Sequence, residues 1–165
     1  MKNHIVRMLL LISFATFFFN PITIFASTDY TLPFREKIYL EDGYYIETYI
    51  ENVSNRVSAN VLSLSSNSNT ITKTKTTNYK DPSGKILWSV SITATFSYNG
   101  STSRCTQYYH RASAPSTSWF IKSVSSSKSG NTATAVAIAT HYNVNWSEDI
   151  TKSVTIKCSK TGVIS

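Results

Sequence analysis

Residues 88–98 read WSVSITATFSY, with an apolar side chain at every second position and Ser or Thr between them. A period of two places the apolar set on one face of a β-strand and the hydroxyl-bearing set on the other. A helix would scatter the same aromatic residues around its circumference. This segment therefore predicts a half-buried strand, and the rest of the chain is interpreted outward from it.

Turn signals stand on both sides of this strand. Asp81-Pro82-Ser83-Gly84 precedes it and Asn99-Gly100 follows it, and both are combinations that favour hairpin turns. Alternating segments at 73–79, 101–110, 119–126, 132–142 and 150–159 predict further strands. Six strands joined by short turns predict an all-β fold, a small antiparallel β-sandwich of immunoglobulin-like size at residues 71–165.

The N-terminal residues have the pattern of a secretory signal peptide. Lys2 and Arg7 supply the positive charge before an apolar run at 8–19, which Asn20-Pro21 ends. Ala26 is a small residue that suits the position before the cleavage site. The run is shorter than the roughly 20 apolar residues of a membrane span, which favours cleavage over a retained anchor. We therefore expect residues 1–26 to be a signal peptide and the product to be secreted, with association to the cell wall left open.

Charge divides the remaining chain into an acidic and a basic part. Residues 27–51 carry six acids and two cations, a net of −4, whereas residues 52–165 carry twelve cations and three acids, a net of +9. Residues 27–53 are interpreted as an extended acidic arm with one strand, at 44–52, and residues 54–70 as a Ser/Asn-rich tether. The arm either docks on the basic domain or is removed, and the basic domain suits an anionic partner such as a wall polymer.

The chain has only two cysteines, Cys105 and Cys158. Export permits oxidation, so the expected state is a disulfide, which would stabilise the fold by about 4 kcal/mol for a loop of about fifty residues. The order Cys105, Trp119, Cys158 resembles that of immunoglobulin domains, although Ile156 stands where those domains have tyrosine. A catalytic pair of Cys105 and His110 is disfavoured because five residues along a strand place them on opposite faces.

Motifs for chemistry are few. The sequence has no zinc-protease, calcium-loop, phosphate-loop or nucleophile-elbow motif, so we expect neither an enzyme nor a metal or cofactor. A hydrolase would need a cleft formed by His110, His141 and Glu148, and this stays the third hypothesis.

The sequence offers more residues suited to binding than to catalysis, because aromatic rings and cations are abundant. Aromatic rings can stack on sugars or on a protein partner, and arginines can hold an anion beside them. The candidate binding residues, those least needed for the core, are Tyr45, Tyr49, Arg104, Tyr109, Arg111 and Trp146. Nucleic acid is not expected for an exported protein, and membrane contact is expected only through the signal peptide.

Four segments resemble a group of small exported proteins of Gram-positive bacteria. They are YLEDGYY at 39–45, SGKILWSV at 83–90, TFSYNG at 95–100 followed by Cys105, and VTIKCS at 154–159. The resemblance implies export and a β-rich domain, and it assigns no activity or site.

The first functional hypothesis is a non-enzymatic exported module that binds an anionic cell-wall polymer or a protein partner. The alternative is a secreted toxin or bacteriocin-like factor whose Ser/Thr-rich hairpin strand at 132–142 contacts membranes.

Overall fold

The computed structural model describes residues 34–52 and 68–165. The predicted signal peptide and most of the predicted tether lie outside these ranges. Eight strands follow one another in the described residues: β1 (Arg35–Tyr39), β2 (Tyr45–Asn52), β3 (Asn69–Lys80), β4 (Ile86–Tyr98), β5 (Ser103–Ser113), β6 (Trp119–Ser129), β7 (Thr132–Tyr142) and β8 (Ser147–Lys157). A single 3-10 turn, Glu41–Gly43, joins β1 to β2.

The strands form two antiparallel sheets in chain order. One sheet has the order β1-β2-β3-β4-β5 and the other the order β6-β7-β8. Every neighbouring pair is consecutive in sequence, as expected for strands joined by short turns. The prediction of a small all-β antiparallel sandwich is confirmed, and β4 is the half-buried strand that its alternation predicts.

The core lies between the two sheets and is asymmetric. The inward side chains of β4 are large, and Trp88, Ile92 and Phe96 are almost fully buried. β7 presents four alanines to the same core, at positions 133, 135, 137 and 139, each with no exposed surface. Removing the β4 side chains from water stabilises the fold by about 1.5–3 kcal/mol each, as an upper estimate.

Residues of the predicted acidic arm belong to the five-stranded sheet. β2 pairs with β3 from Tyr45↔Lys80 to Asn52↔Lys73, and β1 pairs with β2. The arm therefore contributes two strands where the sequence predicted one, and its described residues belong to the same compact unit as the basic domain. β1 escaped prediction because all five of its residues are exposed, so its sequence, REKIY, does not have to alternate. Asn69 and Thr70, assigned to the tether, instead begin β3.

The predicted disulfide is wrong, since both cysteines are free thiols and both are buried. The thiols of Cys105 and Cys158 donate to the carbonyl oxygens of Gln107 and Ser159, each at 3.3 Å. A bridge requires matched Cβ positions and side-chain directions, which a spacing in sequence does not supply. In this fold both cysteines act as small apolar members of the core.

The C-terminal residues fold back beside the turn between β4 and β5. Cys158 forms an isolated bridge with Ile164, and the amide of Gly100 donates to the carbonyl of Lys160 at 2.8 Å. Gly162 has a φ of +86° and lies against the Tyr98 ring. A β-carbon at position 162 would stand 2.5 Å from a ring carbon of Tyr98, so only glycine fits here.

Candidate functional site

A pocket of about 950 Å³ lies at one end of the sandwich, and we call it the end pocket. The turn between β1 and β2, the end of β3, the start of β6 and the hairpin between β7 and β8 all contribute to it. Register aligns the residues of the three-stranded sheet, because Trp119 of β6 stands opposite His141 of β7, which stands opposite Glu148 of β8. The lining residues are Tyr39, Leu40, Glu41, Asp42, Tyr44, Tyr79, Trp119, His141, Asn143, Trp146, Glu148 and Ile150.

A continuous array of rings runs from the core into the end pocket. Trp88 is buried and stacks on Trp119 with centroids 6.3 Å apart. Trp119 in turn lies parallel to the imidazole of His141, with centroids 4.6 Å apart and 7° between the planes. His141 then meets Trp146 edge-on at 5.4 Å. Because Trp119 is anchored in the core, it fixes the orientation of the rings that face solvent.

A second branch of rings forms the opposite wall. Tyr79 lies 5.3 Å from Trp119 and 5.9 Å from Tyr44, measured between ring centroids. Burial raises the pKa of the Tyr79 phenol, and the neighbouring Tyr44 and Glu148 raise it further. The phenol therefore stays protonated and available as a hydrogen-bond donor at neutral pH.

The rim of the end pocket is acidic. Glu41, Asp42 and Glu148 are all exposed, and no lysine or arginine is among the lining residues. Asp42 has a φ of 58° inside the 3-10 turn, a conformation that Asp tolerates better than most residues, so the chain turns there and both acids sit on the rim. The rim thus offers carboxylate acceptors in a domain whose overall charge is positive.

The chemistry of the end pocket suits a ligand with a ring and hydroxyl groups. Aromatic faces pack against the apolar face of a sugar ring, while carboxylates and the Asn143 amide can bond its hydroxyls. Within the described ranges, no three His, Cys, Asp or Glu side chains come close enough to hold a metal ion.

The three residues of the hydrolase hypothesis do not form one cleft. His141 and Glu148 both line the end pocket, but His110 lies on β5 and its Nδ1 is 2.7 Å from the hydroxyl of Ser126 on β6. The cleft that this hypothesis requires is therefore not present.

The structure divides the predicted binding residues between two surfaces. Only Trp146 lines the end pocket. The register of the five-stranded sheet places the other five on its solvent-facing side: Tyr45, Tyr49, Arg104, Tyr109 and Arg111.

Sequence reasoning missed most of the pocket. Trp119 belongs to the core, where it is 7% exposed, and it also lines the end pocket. Tyr79 and His141 are separated by sixty-two positions and belong to different sheets, so only the packing of the two sheets brings them to the same pocket. The Glu41-Asp42-Gly43 turn was the available signal, because an acidic pair before a glycine marks a tight turn with exposed carboxylates.

Comparison of the chain with protein-family models, with curated proteins and with solved structures found no match. Residues 34–52 and 68–165 contain no helix of the length and apolarity that crossing a bilayer requires.

Proposed function

We propose that this protein is an exported, non-enzymatic binding module that holds sugar units of a cell-wall polymer in the end pocket. One observation carries the proposal: an array of stacked rings begins in the core and ends at an open pocket with a carboxylate rim. Such a pocket combines a rigid stacking surface with hydrogen-bond acceptors, as sugar recognition requires.

The size of the end pocket supports a short stretch of polymer. Ligand sites commonly enclose about 300–1,000 Å³, and 950 Å³ lies at the upper end of that range. Trp146 is 49% exposed, so ring surface is available at the rim. A polymer can therefore enter with several units while the ends of the chain remain outside.

The membrane-active alternative is disfavoured by the position of β7, the proposed membrane-contacting strand. β7 is the central strand of its sheet, paired with β6 on one side and with β8 on the other. Its four alanines are fully buried in the core. Insertion would break both ladders and expose the core, which costs far more than releasing an edge strand.

The function is tested by sedimentation of the purified protein with isolated cell walls. We expect retention that soluble wall oligosaccharides compete away, together with a change in tryptophan fluorescence when those oligosaccharides bind. Trp146→Ala should reduce retention at least tenfold, a loss of about 1.4 kcal/mol. The matched control is Phe120→Ala, which removes a ring of similar exposure outside the end pocket.

Equal retention of the native protein and of Trp146→Ala would refute the pocket as the binding site. No retention of the native protein, at low salt and without competitor, would refute wall binding altogether.

A further inference from the structure

The solvent-facing side of the five-stranded sheet carries small side chains on its middle strands and large ones on its flanking strands. Its floor is formed by β3 and β4, whose outward side chains are almost all Ser or Thr: residues 70, 72, 74 and 76 on β3 and residues 89, 91, 93, 95 and 97 on β4. Hydroxyl pairs connect the two strands across this floor, with 2.9 Å between Thr72 and Thr95 and 2.7 Å between Thr74 and Thr93. We call this surface the hydroxyl groove.

Large side chains on the flanking strands form the walls. One wall is built by β2 and β1 and includes Tyr45 and Tyr49. The other wall is built by β5 and includes Tyr109 and Arg111. Since neighbouring strands lie about 4.8 Å apart, the distance from β2 to β5 is about 14 Å, and the floor runs for about 26 Å along β4. These dimensions suit an extended chain that lies parallel to the strands.

Cations dominate both walls. The charged residues on this face are five cations and two carboxylates: Arg35, Lys37, Lys80, Arg104, Arg111, Glu47 and Glu51. Glu47 is already bound by Lys80 at 2.5 Å and by Arg35 at 3.2 Å. The exposed cations therefore outnumber the carboxylates that remain free.

Rings position the cations of the first wall. The ammonium of Lys37 lies 5.1 Å from the centroid of the Tyr45 ring, and the guanidinium of Arg35 lies 5.5 Å from that of Tyr49. Contacts of this kind restrain long side chains that would otherwise pay entropy when an anion binds. On the second wall Arg104 and Arg111 are exposed and no acid neighbours them on β5.

We propose that the hydroxyl groove binds an extended polyanion whose charged groups repeat along its chain, such as a phosphodiester polymer. Positive walls supply the attraction, and the hydroxyl floor donates hydrogen bonds to anionic oxygens without blocking the chain. No strand in the described part of the protein covers this face, because the second sheet packs on the opposite one. This site is separate from the end pocket and goes beyond the function proposed for it.

A polymer fits this face better than an anionic lipid surface does. Binding to a bilayer interface uses apolar side chains that enter the acyl region beside the cations. The groove floor offers hydroxyl groups instead, and its walls offer tyrosines rather than leucines or phenylalanines.

The test measures binding of the full-length protein to long-chain inorganic polyphosphate as a function of salt. We expect the double variant Arg104→Gln, Arg111→Gln to bind about tenfold more weakly at low salt, and the slope of log affinity against log salt to fall by about 1.4, since two contacts to a single-chain polyanion are lost. Lys157→Gln, Lys160→Gln is the matched control, because it removes the same charge at exposed residues at the end of β8 and just after it. Trp146→Ala should bind polyphosphate as the native protein does.

Equal weakening in the control pair would overturn the proposal, since attraction would then follow net charge alone. Binding to phosphatidylglycerol vesicles with none to polyphosphate would overturn it in favour of a membrane surface. If the native protein binds polyphosphate but no wall sugar, the proposed function of the end pocket is refuted and the proposal for the hydroxyl groove stands.

Discussion

The imidazole of His141 lies flat on the indole of Trp119, 4.6 Å between centroids, while its edge meets the ring of Trp146 at 90°. One histidine thus connects a tryptophan of the core to a tryptophan at the surface. Within the described residues, His141 supplies the one ring contact of Trp146, so this contact helps to position the surface ring.

We expect His141→Ala to lower the free energy of unfolding by about 1 kcal/mol, the usual contribution of a stacked pair beyond its buried area. The same variant should weaken oligosaccharide binding, because Trp146 loses its partner. His141→Phe keeps the stacking surface and should restore both properties. Urea denaturation followed by tryptophan fluorescence and oligosaccharide titration measure the two effects. Normal binding by His141→Ala would show that Trp146 is oriented by other contacts.

Glu47 should make the protein more stable at neutral pH than in acid. The hydrogen bond from Lys80 lowers the pKa of Glu47, the charges of Lys80, Arg35 and Lys37 lower it further, and burial opposes them. Because the pKa is lower in the folded state, the stabilisation is complete above the unfolded value and is lost as pH falls through the folded one. We expect Glu47→Gln to destabilise the protein by about 2 kcal/mol at pH 7.

The difference between the native protein and Glu47→Gln should shrink steadily as the pH is lowered from 5 to 3. Glu51→Gln is the control, since Glu51 lies on the same strand and face but is exposed. Thermal unfolding at a series of pH values measures both variants. A difference that stays constant with pH would contradict the charged state of Glu47 as its cause.

Gly162→Ala and Gly100→Ala distinguish the cost of a positive φ from the cost of a steric clash, because the two glycines have the same φ. Both residues have a φ of +86°, but a β-carbon would meet Tyr98 at position 162 and open space at position 100. We expect about 1 kcal/mol of destabilisation at position 100, from the backbone alone. Position 162 should lose clearly more, by about 1–3 kcal/mol, because the tail must move away from Tyr98. Equal losses in chemical denaturation would mean that the tail does not pack on Tyr98 in solution.

The two thiols should be present and unreactive in the folded protein. Cys105 is 6% exposed and Cys158 has no exposed surface. Burial raises the pKa of the Cys105 thiol, with a smaller opposing effect of Lys128, so little thiolate forms at neutral pH. Titration with a thiol reagent should find two thiols after unfolding and react slowly before it. An intact mass two units lower, with no thiol on unfolding, would contradict the free state.

Local patterns predicted the strands well where one face is buried. β4 alternates between apolar and hydroxyl-bearing residues, β7 places an alanine at every second position from 133 to 139, and the observed bounds of β7 match the predicted ones. β1 carried no such pattern, because nothing in the described structure packs on it closely enough to require one. Alternation therefore reports burial rather than strand structure itself, and an exposed edge strand leaves no trace in the sequence.

Long-range geometry explains the errors at the sites. The disulfide prediction rested on count and compartment, whereas bonding depends on Cβ positions that only the fold sets. The sequence identifies rings and cations that the core does not need, but it does not show which of them share a surface. Five of them share the hydroxyl groove because their strands belong to the five-stranded sheet and pair in register. Trp146 stands apart because it lies in the loop between β7 and β8 of the other sheet.

The four alanines of β7 place small side chains opposite the large buried side chains of β4. A larger side chain on β7 would collide with the buried side chains of β4, and a smaller side chain on β4 would leave a cavity that the alanine methyl groups cannot fill. Replacement of the β7 alanines by larger residues is therefore poorly tolerated, even though alanine itself is a small and chemically inert residue. Variation is tolerated where the sheets face outward, and that is where the groove and the pocket rim are built.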